Sequence, residues 1–278
     1  MIGSVKIDGE RAMQENGQIV RTPLSVAPPR EPLETSRKRS ARTFFDEIAP
    51  RYERVAHQQG AGLAFISTYE LAFIRTQLQP HAGVRLLDVG SGTGRIAADL
   101  LARGAHVTCL DLAPRMLAEN QNRNGEGQAD FICADASKRI PLADRSVDGI
   151  VCCRVLKYMA TWPTAISEMA RVVRPGGRVV LEVATRFSCE SLGLAFKPMV
   201  YHLHEPHEIS AVMAASGLTV VDQYYGTRLP FALYQRARSH LFLWWLLTFE
   251  DLFARILAPG QLCRSVLLAA VRTDPAPT

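Results

Sequence analysis

The stretch VRLLDVGSGTGRIAADLLARG, residues 84–104, decides the fold class of this chain. Its first part is a short apolar run, which predicts a buried strand, and its last part carries apolar residues at helical spacing. The glycines Gly90, Gly92 and Gly94 separate the two parts. Because glycine-rich turns let the backbone approach a ligand closely, the stretch predicts a strand, a ligand-binding turn and a helix.

The alternation of strand and helix continues along the chain from this turn. Further apolar runs at 106–112, 129–135, 146–153 and 178–184 are predicted strands, and helical patterns lie between them. A turn is predicted at 174–177. Such an alternation predicts an α/β fold with a doubly wound, mostly parallel sheet and helices on both faces.

The pattern changes after residue 185. A helix is predicted at 206–217, a strand at 218–226, a long apolar helix from about 231 to 257 and a final strand at 263–273. Residues 1–36 are polar and rich in proline, which predicts a disordered tail.

Composition excludes several classes of function. The chain has 278 residues and a net charge of +5, without the long basic stripe typical of nucleic-acid binding. The run RKRSAR at 37–42 is interpreted as a solvated helix start, with contact to an anionic membrane surface or nucleic acid left open. The partners expected are therefore a small-molecule acceptor and no nucleic acid, and peripheral membrane contact stays open.

The six cysteines form no C-x-x-C pair, which indicates a reducing compartment and no metal site. The start of the chain lacks the apolar core of a signal peptide, and no stretch approaches the ~20 apolar residues of a membrane span. These features predict a soluble, cytoplasmic protein.

Three carboxylates follow successive predicted strands. Asp88, Asp111 and Asp135 each lie at a strand end, and in a doubly wound sheet those ends border the ligand site. Asp111 lies about twenty residues beyond the glycine turn, where an acidic side chain accepts hydrogen bonds from both hydroxyls of a ribose; the alternative is a helix N-cap ahead of Pro114. Three carboxylates would repel a pyrophosphate, and they suit a ligand with a ribose, an amino group and a positive charge.

Three segments carry a family resemblance: LLDVGSGTGRIAADLLARGAHVTCLDLAPRML at 86–117, FICADASKRIPLADRSVDGIVCCRVLKYM at 131–159 and AISEMARVVRPGGRVVLEVA at 165–184. In combination they resemble class I S-adenosylmethionine-dependent methyltransferases. The lead-in FFDEIAPRYE at 44–53 is similar to the opening of the ubiquinone/menaquinone methyltransferase branch and its small-molecule relatives.

The resemblance implies a Rossmann-like sheet with an antiparallel last strand. It implies an N-terminal helical lid at 37–80 and a methyltransferase domain at 81–278, with a cofactor-binding core at 84–184 and a helical insertion at 229–260. It also implies S-adenosyl-L-methionine as cofactor and methyl transfer to a small, apolar or aromatic acceptor, such as a quinone, lipid or secondary metabolite.

Site residues follow from the resemblance, beginning with the methionine end and the ribose of the cofactor. Gly90, Gly92 and Gly94 let the turn pass close to the methionine end of the cofactor, and Asp88 interacts with the amino group of that end. Asp111 holds the ribose diol.

Five further residues complete the implied site. Leu112 lies against the adenine, Asp135 meets its amino group, and Ala136 adds a backbone contact. Arg154 lies where the methionine end and the acceptor meet, and Tyr52 belongs to the lid.

The resemblance supplies no diagnostic catalytic residue. The cluster HLHEPHE at 202–208 leads into a predicted helix, where a solvated or capping role is expected. His202 or His204 as a base facing the acceptor, and a metal site, are the alternatives; no metal is predicted.

Two other functions stay open: a nicotinamide-dependent oxidoreductase, disfavoured by the G-x-G-x-G spacing, and a non-catalytic S-adenosylmethionine-binding regulatory protein. In the long helix, one apolar stripe is expected to pack on the sheet. The adjacent stripe is expected to be core, a dimer interface or the roof of an apolar pocket, so a monomer and a homodimer are both open. The first stripe is Leu241, Trp245, Phe249, Leu252 and Ile256, and the second is Phe242, Leu246 and Phe253.

Overall fold

The structure is a computed structural model that describes the following residues: 40–52, 60–125, 129–186, 188, 201–237, 239–257 and 262–273. The tail predicted at 1–36 lies outside these ranges and stays a prediction. The region of the predicted lid is described at 40–52 and from residue 60 onward, where it is helical.

Within the described residues, seven strands form one sheet in the order β3-β2-β1-β4-β5-β7-β6. The strands β1 to β5 pair in parallel, and β7 runs antiparallel between β5 and β6. The mostly parallel sheet with an antiparallel last strand is therefore confirmed. The strands are β1 Arg85–Val89, β2 His106–Asp111, β3 Ala129–Cys133, β4 Val147–Cys152, β5 Val173–Ala184, β6 Leu218–Tyr225 and β7 Ser265–Arg272.

Helices cover both faces of the sheet, as expected when a strand is apolar on both sides. One core cluster joins helices α2, α3 and α4 to one face, and another joins α5 and α6 to the opposite face. None of the described helices is long and apolar enough to cross a membrane. The helices are α1 Ala41–Ile48, α2 Gly60–Leu78, α3 Arg95–Leu101, α4 Pro114–Asn124, α5 Trp162–Val172, α6 Pro206–Ala215, α7 Phe231–Arg236 and α8 His240–Ile256.

Strand β5 begins earlier than the sequence predicts. Val173 already pairs with Val147, and regular pairing resumes where Arg178 faces Gly149, with a register shift between these pairs. The predicted turn at 174–177 is wrong, because the glycines accommodate an irregularity inside a continuous strand; Gly176 has a φ of +73°.

The long apolar helix predicted from 231 to 257 is two helices. Ala237 is non-helical, and the Ser239 side chain accepts a hydrogen bond from the Phe242 N–H at 3.2 Å, which begins α8.

The stripe of α8 that was expected to pack on the sheet is instead exposed. The helix buries Leu243 and Leu246 against Ile66 of α2 and Tyr234 of α7. The expectation was wrong because α2 already covers the sheet at this place, so α8 packs outside it.

Candidate cofactor and substrate site

A cavity of about 450 Å³ lies at the carboxyl edge of the sheet. Its walls come from the turn after β1, the end of β2 and the loops after β3 and β4, which are the places where a doubly wound sheet binds ligands. Helix α1 and the residues directly after it form the outer wall. The lining includes each of Tyr52, Asp88, Gly90, Gly92, Asp111, Leu112, Asp135, Ala136 and Arg154.

The glycine turn has the backbone that only glycine adopts readily. Gly90, Gly92 and Gly94 have φ of +70°, +55° and +83°. A Cβ at Gly90 would lie 2.2 Å from the side chain of Val155, and one at Gly94 would lie 2.2 Å from Asn120. A Cβ at Gly92 would meet nothing within 4 Å, so this glycine leaves room on the cavity side of the turn.

Asp88, at the end of β1, is buried beside the cavity. Its Oδ2 atom has no hydrogen-bond partner among the described residues. Burial raises the pKa of this carboxyl to about 7; the charge of Arg95 opposes the shift and that of Asp111 adds to it. A buried carboxylate oxygen without a partner is costly, which makes it a site for a donor or cation that enters from the cavity.

Asp111, at the end of β2, braces the glycine turn. Its Oδ2 accepts the N–H of Gly92 at 2.8 Å, and its Oδ1 accepts the N–H of Ala113 at 2.8 Å. Burial raises the pKa of the Asp111 carboxyl, and these N–H groups oppose the shift. Each oxygen keeps further lone pairs, so the carboxylate can accept two more hydrogen bonds from a diol.

Asp135 is held in a tight local turn. Its Oδ1 accepts both the N–H of Ser137 at 3.0 Å and the hydroxyl of Ser137 at 2.6 Å. Ala136 beside it is buried, and Leu112 faces it across the same cavity. The three carboxylates therefore share one cavity, as the sequence predicts.

Arg154 follows β4 and is held by a buried carboxylate from α2. Its Nη2 lies 2.7 Å from the Oε2 of Glu70, and the Nη2 of Arg95 lies 3.3 Å from the same oxygen. Although burial raises the pKa of the Glu70 carboxyl, the charges of Arg154 and Arg95 outweigh it and hold that pKa well below its usual range. Arg154 has a φ of +65°, a backbone conformation that is strained for a residue other than glycine.

Aromatic side chains form the outer wall of the cavity. The ring of Phe45 lies 6.1 Å from that of Tyr52 and 5.2 Å from that of Tyr158, both edge to face. The ring of Tyr201 lies 5.4 Å from that of Tyr158. Burial raises the pKa of Tyr52, so its hydroxyl stays protonated at neutral pH. Tyr201 itself is not among the residues that line the cavity, so we refer to Phe45, Tyr52 and Tyr158 as the aromatic wall.

The histidine candidates lie away from this cavity. Neither His202 nor His204 is among its described lining. The ring of His204 lies 4.7 Å from that of Trp162, and burial lowers its pKa. The N–H of His202 pairs with the carbonyl of Lys157. The structure thus gives neither histidine a contact with the site, because both belong to the segment that leads into α6.

The same segment has a capping role at the start of α6. Glu205 and Glu208 form a capping box at the start of α6. No group of three or more potential metal ligands occurs among the described residues. The capping role that the sequence predicts for this segment is therefore the one observed.

Comparison with known proteins bears on the part of the chain that supplies most of the cavity lining. Residues 87–181 match a family model described as Methyltransferase domain. We refer to residues 87–181 as the methyltransferase domain, after the family model that they match. The domain runs from β1 through most of β5, so it supplies the glycine turn and all three carboxylates.

Two curated relatives share parts of this chain. The biotin biosynthesis bifunctional protein BioHC of Cellvibrio japonicus is 34% identical over 168 residues, which are 60% of this chain and 32% of that protein. Demethylmenaquinone methyltransferase of Clavibacter sepedonicus is 33% identical over 139 residues, 50% of this chain and 55% of that protein. The chain thus spans about a third to about a half of the length of these relatives.

A solved structure shares the fold at low identity. Magnesium protoporphyrin IX methyltransferase from Synechocystis PCC 6803, crystallised with bound S-adenosylmethionine, superposes with a TM-score of 0.56 at 17% identity. The match covers 84% of this chain and 95% of that chain. The Rossmann-like fold around the methyltransferase domain is thereby confirmed.

Sequence reasoning missed several residues of the site. Glu70 is not among the residues singled out from the sequence, although a lone carboxylate in the apolar stretch 63–78 is a signal for a buried ion pair. Asn120 and Asn124 were likewise missed; Asn120 bonds to Ser91, and Asn124 bonds to the carbonyl of Gly94. These asparagines fix the glycine turn from the side of α4, and their spacing of four on a helix was the available signal.

Proposed function

We propose that this chain binds S-adenosyl-L-methionine in the cavity of the methyltransferase domain and transfers its methyl group to a small, apolar or aromatic acceptor. The proposal rests on one observation: Asp88, Asp111 and Asp135 all line the same cavity, together with the glycine turn. The full activity of the chain is our inference from this site and from the domain match.

The residues present fit the cofactor at its polar groups. The unpartnered Oδ2 of Asp88 suits the positive amino group of the methionine end, which would complete its hydrogen bonding. Asp111 is braced by two N–H groups and suits a ribose diol. The open space at Gly92 lets the ligand backbone pass close to the turn.

The chemistry makes modest demands on the protein. S-adenosylmethionine supplies a methyl group on a sulfonium, which is already reactive toward a nucleophile. The protein then contributes orientation and exclusion of water, and proximity alone is worth roughly 7–11 kcal/mol in well-aligned systems. A base is needed only when the acceptor must lose a proton.

The acceptor side of the proposal rests on the aromatic wall. Its edge-to-face rings offer the contacts that an aromatic acceptor makes best. One relative is named for demethylmenaquinone, which has an aromatic ring and an apolar chain. We therefore favour a quinone-like acceptor over a sugar.

Calorimetric titration with S-adenosylhomocysteine and, separately, with NAD⁺ tests the cofactor. We expect heat of binding with the first ligand and none with the second. Binding of NAD⁺ alone would overturn the proposal in favour of an oxidoreductase. It would show that the three carboxylates do not repel a pyrophosphate from the cavity.

Mass spectrometry of the products tests the transfer step. The full chain is incubated with S-adenosylmethionine and a demethylmenaquinone, and we expect a product heavier by one methyl group. A chain that binds S-adenosylhomocysteine but methylates none of a panel of quinone, lipid and phenolic acceptors would support the non-catalytic, regulatory function instead.

A further inference from the structure

Helix α8 exposes an unusually apolar face. At about 100° per residue, seven large side chains fall within an outward arc of roughly 120° that contains no charged residue. Their exposed fractions are between 36% and 69%, which leaves on the order of 700 Å² of apolar surface open, more than the ~300–600 Å² of a typical monomer patch. We call this arc the outer face of α8: Leu241, Phe242, Trp245, Phe249, Leu252, Phe253 and Ile256.

The outer face is held in a fixed direction by the opposite side of the helix. Leu243 and Leu246 are buried against α2 and α7. The carboxylate of Glu250 accepts the N–H of Arg228, the N–H of Leu229 at 2.8 Å and the hydroxyl of Tyr234 at 2.7 Å. The exposure of the outer face is therefore a consequence of how α8 is anchored.

The topology places this face at the same edge of the sheet as the cavity. Strand β7 is antiparallel to both β5 and β6, so the α7–α8 segment that joins β6 to β7 emerges at the carboxyl edge. Ile66 packs in the same cluster as α8, and one turn away on α2 Glu70 bonds to Arg154 of the cavity lining. The outer face and the cavity therefore belong to one end of the molecule.

The exposed charge near the start of α8 is cationic. Glu250 points inward to its three donors, and Arg264 is mostly buried and paired with Glu182, so neither adds to the charge around the outer face. Arg236 and His240 are exposed near the start of α8, and Arg255 lies on its polar side, paired with Asp251. Aromatic and leucine residues beside cations are typical of helices that lie in the interface of an anionic membrane.

A second copy of the chain is a poorer cover for this surface. The two most exposed residues, Leu241 and Ile256, lie at opposite ends of the helix, roughly 22 Å apart at ~1.5 Å per residue. A second α8 that crosses this one at the common angle of about −50° would leave both residues open, because the two axes diverge away from the crossing point. Lipid follows the whole length of a convex helix.

We propose that the outer face of α8 binds the surface of an anionic lipid bilayer, with the helix lying in the plane of the membrane interface. The cavity edge of the sheet then faces the lipid, where apolar small molecules concentrate. This inference rests on the surface of α8 and stands apart from the proposed methyl transfer, so vesicle binding and catalysis succeed or fail separately.

Co-sedimentation of the full chain with vesicles tests the proposal. We expect binding to phosphatidylcholine vesicles that contain phosphatidylglycerol, and weaker binding to phosphatidylcholine alone. The double variant Trp245→Ser/Phe249→Ser should lower the vesicle affinity by more than about tenfold, because affinity scales with the apolar area buried. The matched control Val221→Ser/Leu262→Ser removes two exposed apolar residues elsewhere and should bind like the wild type.

Fluorescence and sedimentation velocity complete the test. Lipids brominated in the acyl chain should quench the wild type, and the apolar variant Trp244→Phe/Trp245→Phe should bind vesicles with much of that quenching lost. Equal vesicle binding by Trp245→Ser/Phe249→Ser and the wild type would overturn the proposal. So would a wild-type dimer that this variant converts to a monomer without any vesicle binding, since the face would then be a subunit interface.

Discussion

Two buried carboxylates at the same end of the sheet behave in opposite ways. Glu70 in the middle of α2 has two arginine partners, and its pKa is held well below its usual range. Asp88 at the end of β1 has an oxygen without a partner among the described residues, and burial raises its pKa to about 7. Both carboxylates are almost completely shielded from solvent.

The difference teaches which carboxylate is structural and which is available to a ligand. Glu70 already has the cations that offset its desolvation, so it organises Arg95 and Arg154. The charge of Arg95 does not offset the desolvation of Asp88, whose Oδ2 has no partner among the described residues, so a cation that enters the cavity would relieve the penalty. Asp111 and Asp135 lie between Glu70 and Asp88 in how fully their oxygens are hydrogen-bonded. Substitution of each of the four carboxylates tests whether this difference separates structural residues from ligand-binding ones.

The largest effect is expected for Glu70→Gln. The variant leaves Arg154 and Arg95 buried without a negative partner, and breaking such a pair costs about 3–5 kcal/mol in the free energy of unfolding. Denaturant titration at neutral pH measures it. Because the pKa of Glu70 is lowered in the folded state, its ionised form stabilises the protein above the ordinary pKa of 4.5, and this stability is lost as the pH falls through the lower folded-state pKa. The difference in stability between the variant and the wild type should therefore shrink in acid.

Asp251→Asn is the matched control, because it removes the carboxylate of the exposed pair with Arg255. Surface pairs contribute little, so this variant should stay within about 0.5 kcal/mol of the wild type. If Glu70→Gln is as stable as Asp251→Asn, the ion pair is not what organises the two arginines and the contrast with Asp88 fails.

The next effect is expected for Asp111→Ala on binding of S-adenosylhomocysteine. Loss of hydrogen bonds from two hydroxyls to a carboxylate costs about 2–4 kcal/mol, or roughly thirtyfold or more in affinity. Calorimetry gives the dissociation constant. Asp148→Ala is the control, because Asp148 also accepts a backbone N–H, from Arg85 at 2.7 Å, but at the opposite edge of the sheet. An unchanged dissociation constant in Asp111→Ala would contradict the ribose assignment.

Asp88→Asn should change the pH dependence of stability. The folded-state pKa of about 7 lies above the ordinary 3.8, so stability present below 3.8 is lost as the pH rises through about 7. The variant lacks this titration. At ~1.36 kcal/mol per pH unit, the wild type should lose roughly 2–3 kcal/mol relative to the variant between about pH 5 and pH 7.

The same variant sharpens the comparison through the ligand. Affinity of the wild type for S-adenosylhomocysteine should rise with pH through about 7, as Asp88 ionises to meet the amino group, and Asp88→Asn should bind weakly without this rise. Parallel pH profiles in both proteins would show that Asp88 does not face the amino group.

The methyltransferase domain was the part most open to prediction from sequence. Its buried parallel strands are apolar on both faces, and Gly90 and Gly92 need positive φ, so pattern and turn chemistry agree there. The strand ends then bring Asp88 and Asp111 together through topology alone.

The rest depends on packing that no local pattern reports. The orientation of α8 is set by the hydrogen bond between Glu250 and Tyr234 and by α2, which already covers the sheet there. From sequence alone, the stripe with Leu241 and Ile256 is therefore expected to pack on the sheet, whereas it is exposed to solvent. The partnership of Glu70 with Arg154 joins residues 84 positions apart, which only the folded chain reveals.

The smallest effect is expected for Asp135→Asn. Asp135 is only partly buried, and its Oδ1 is already occupied by the N–H and the hydroxyl of Ser137, which an asparagine oxygen also accepts. The variant therefore keeps the local turn and loses only the charge, which we expect to face the adenine amino group; this should cost about 0.5–1.5 kcal/mol, or roughly threefold to tenfold in affinity for S-adenosylhomocysteine. Calorimetric dissociation constants of Asp135→Asn and of the isosteric variants Asp111→Asn and Asp88→Asn rank the three carboxylates by their contribution to binding. If Asp135→Asn weakens binding more than Asp88→Asn does, then a carboxylate oxygen without a hydrogen-bond partner does not predict how much that residue contributes to binding. The unpartnered oxygen of Asp88 would then no longer be evidence for the ligand site.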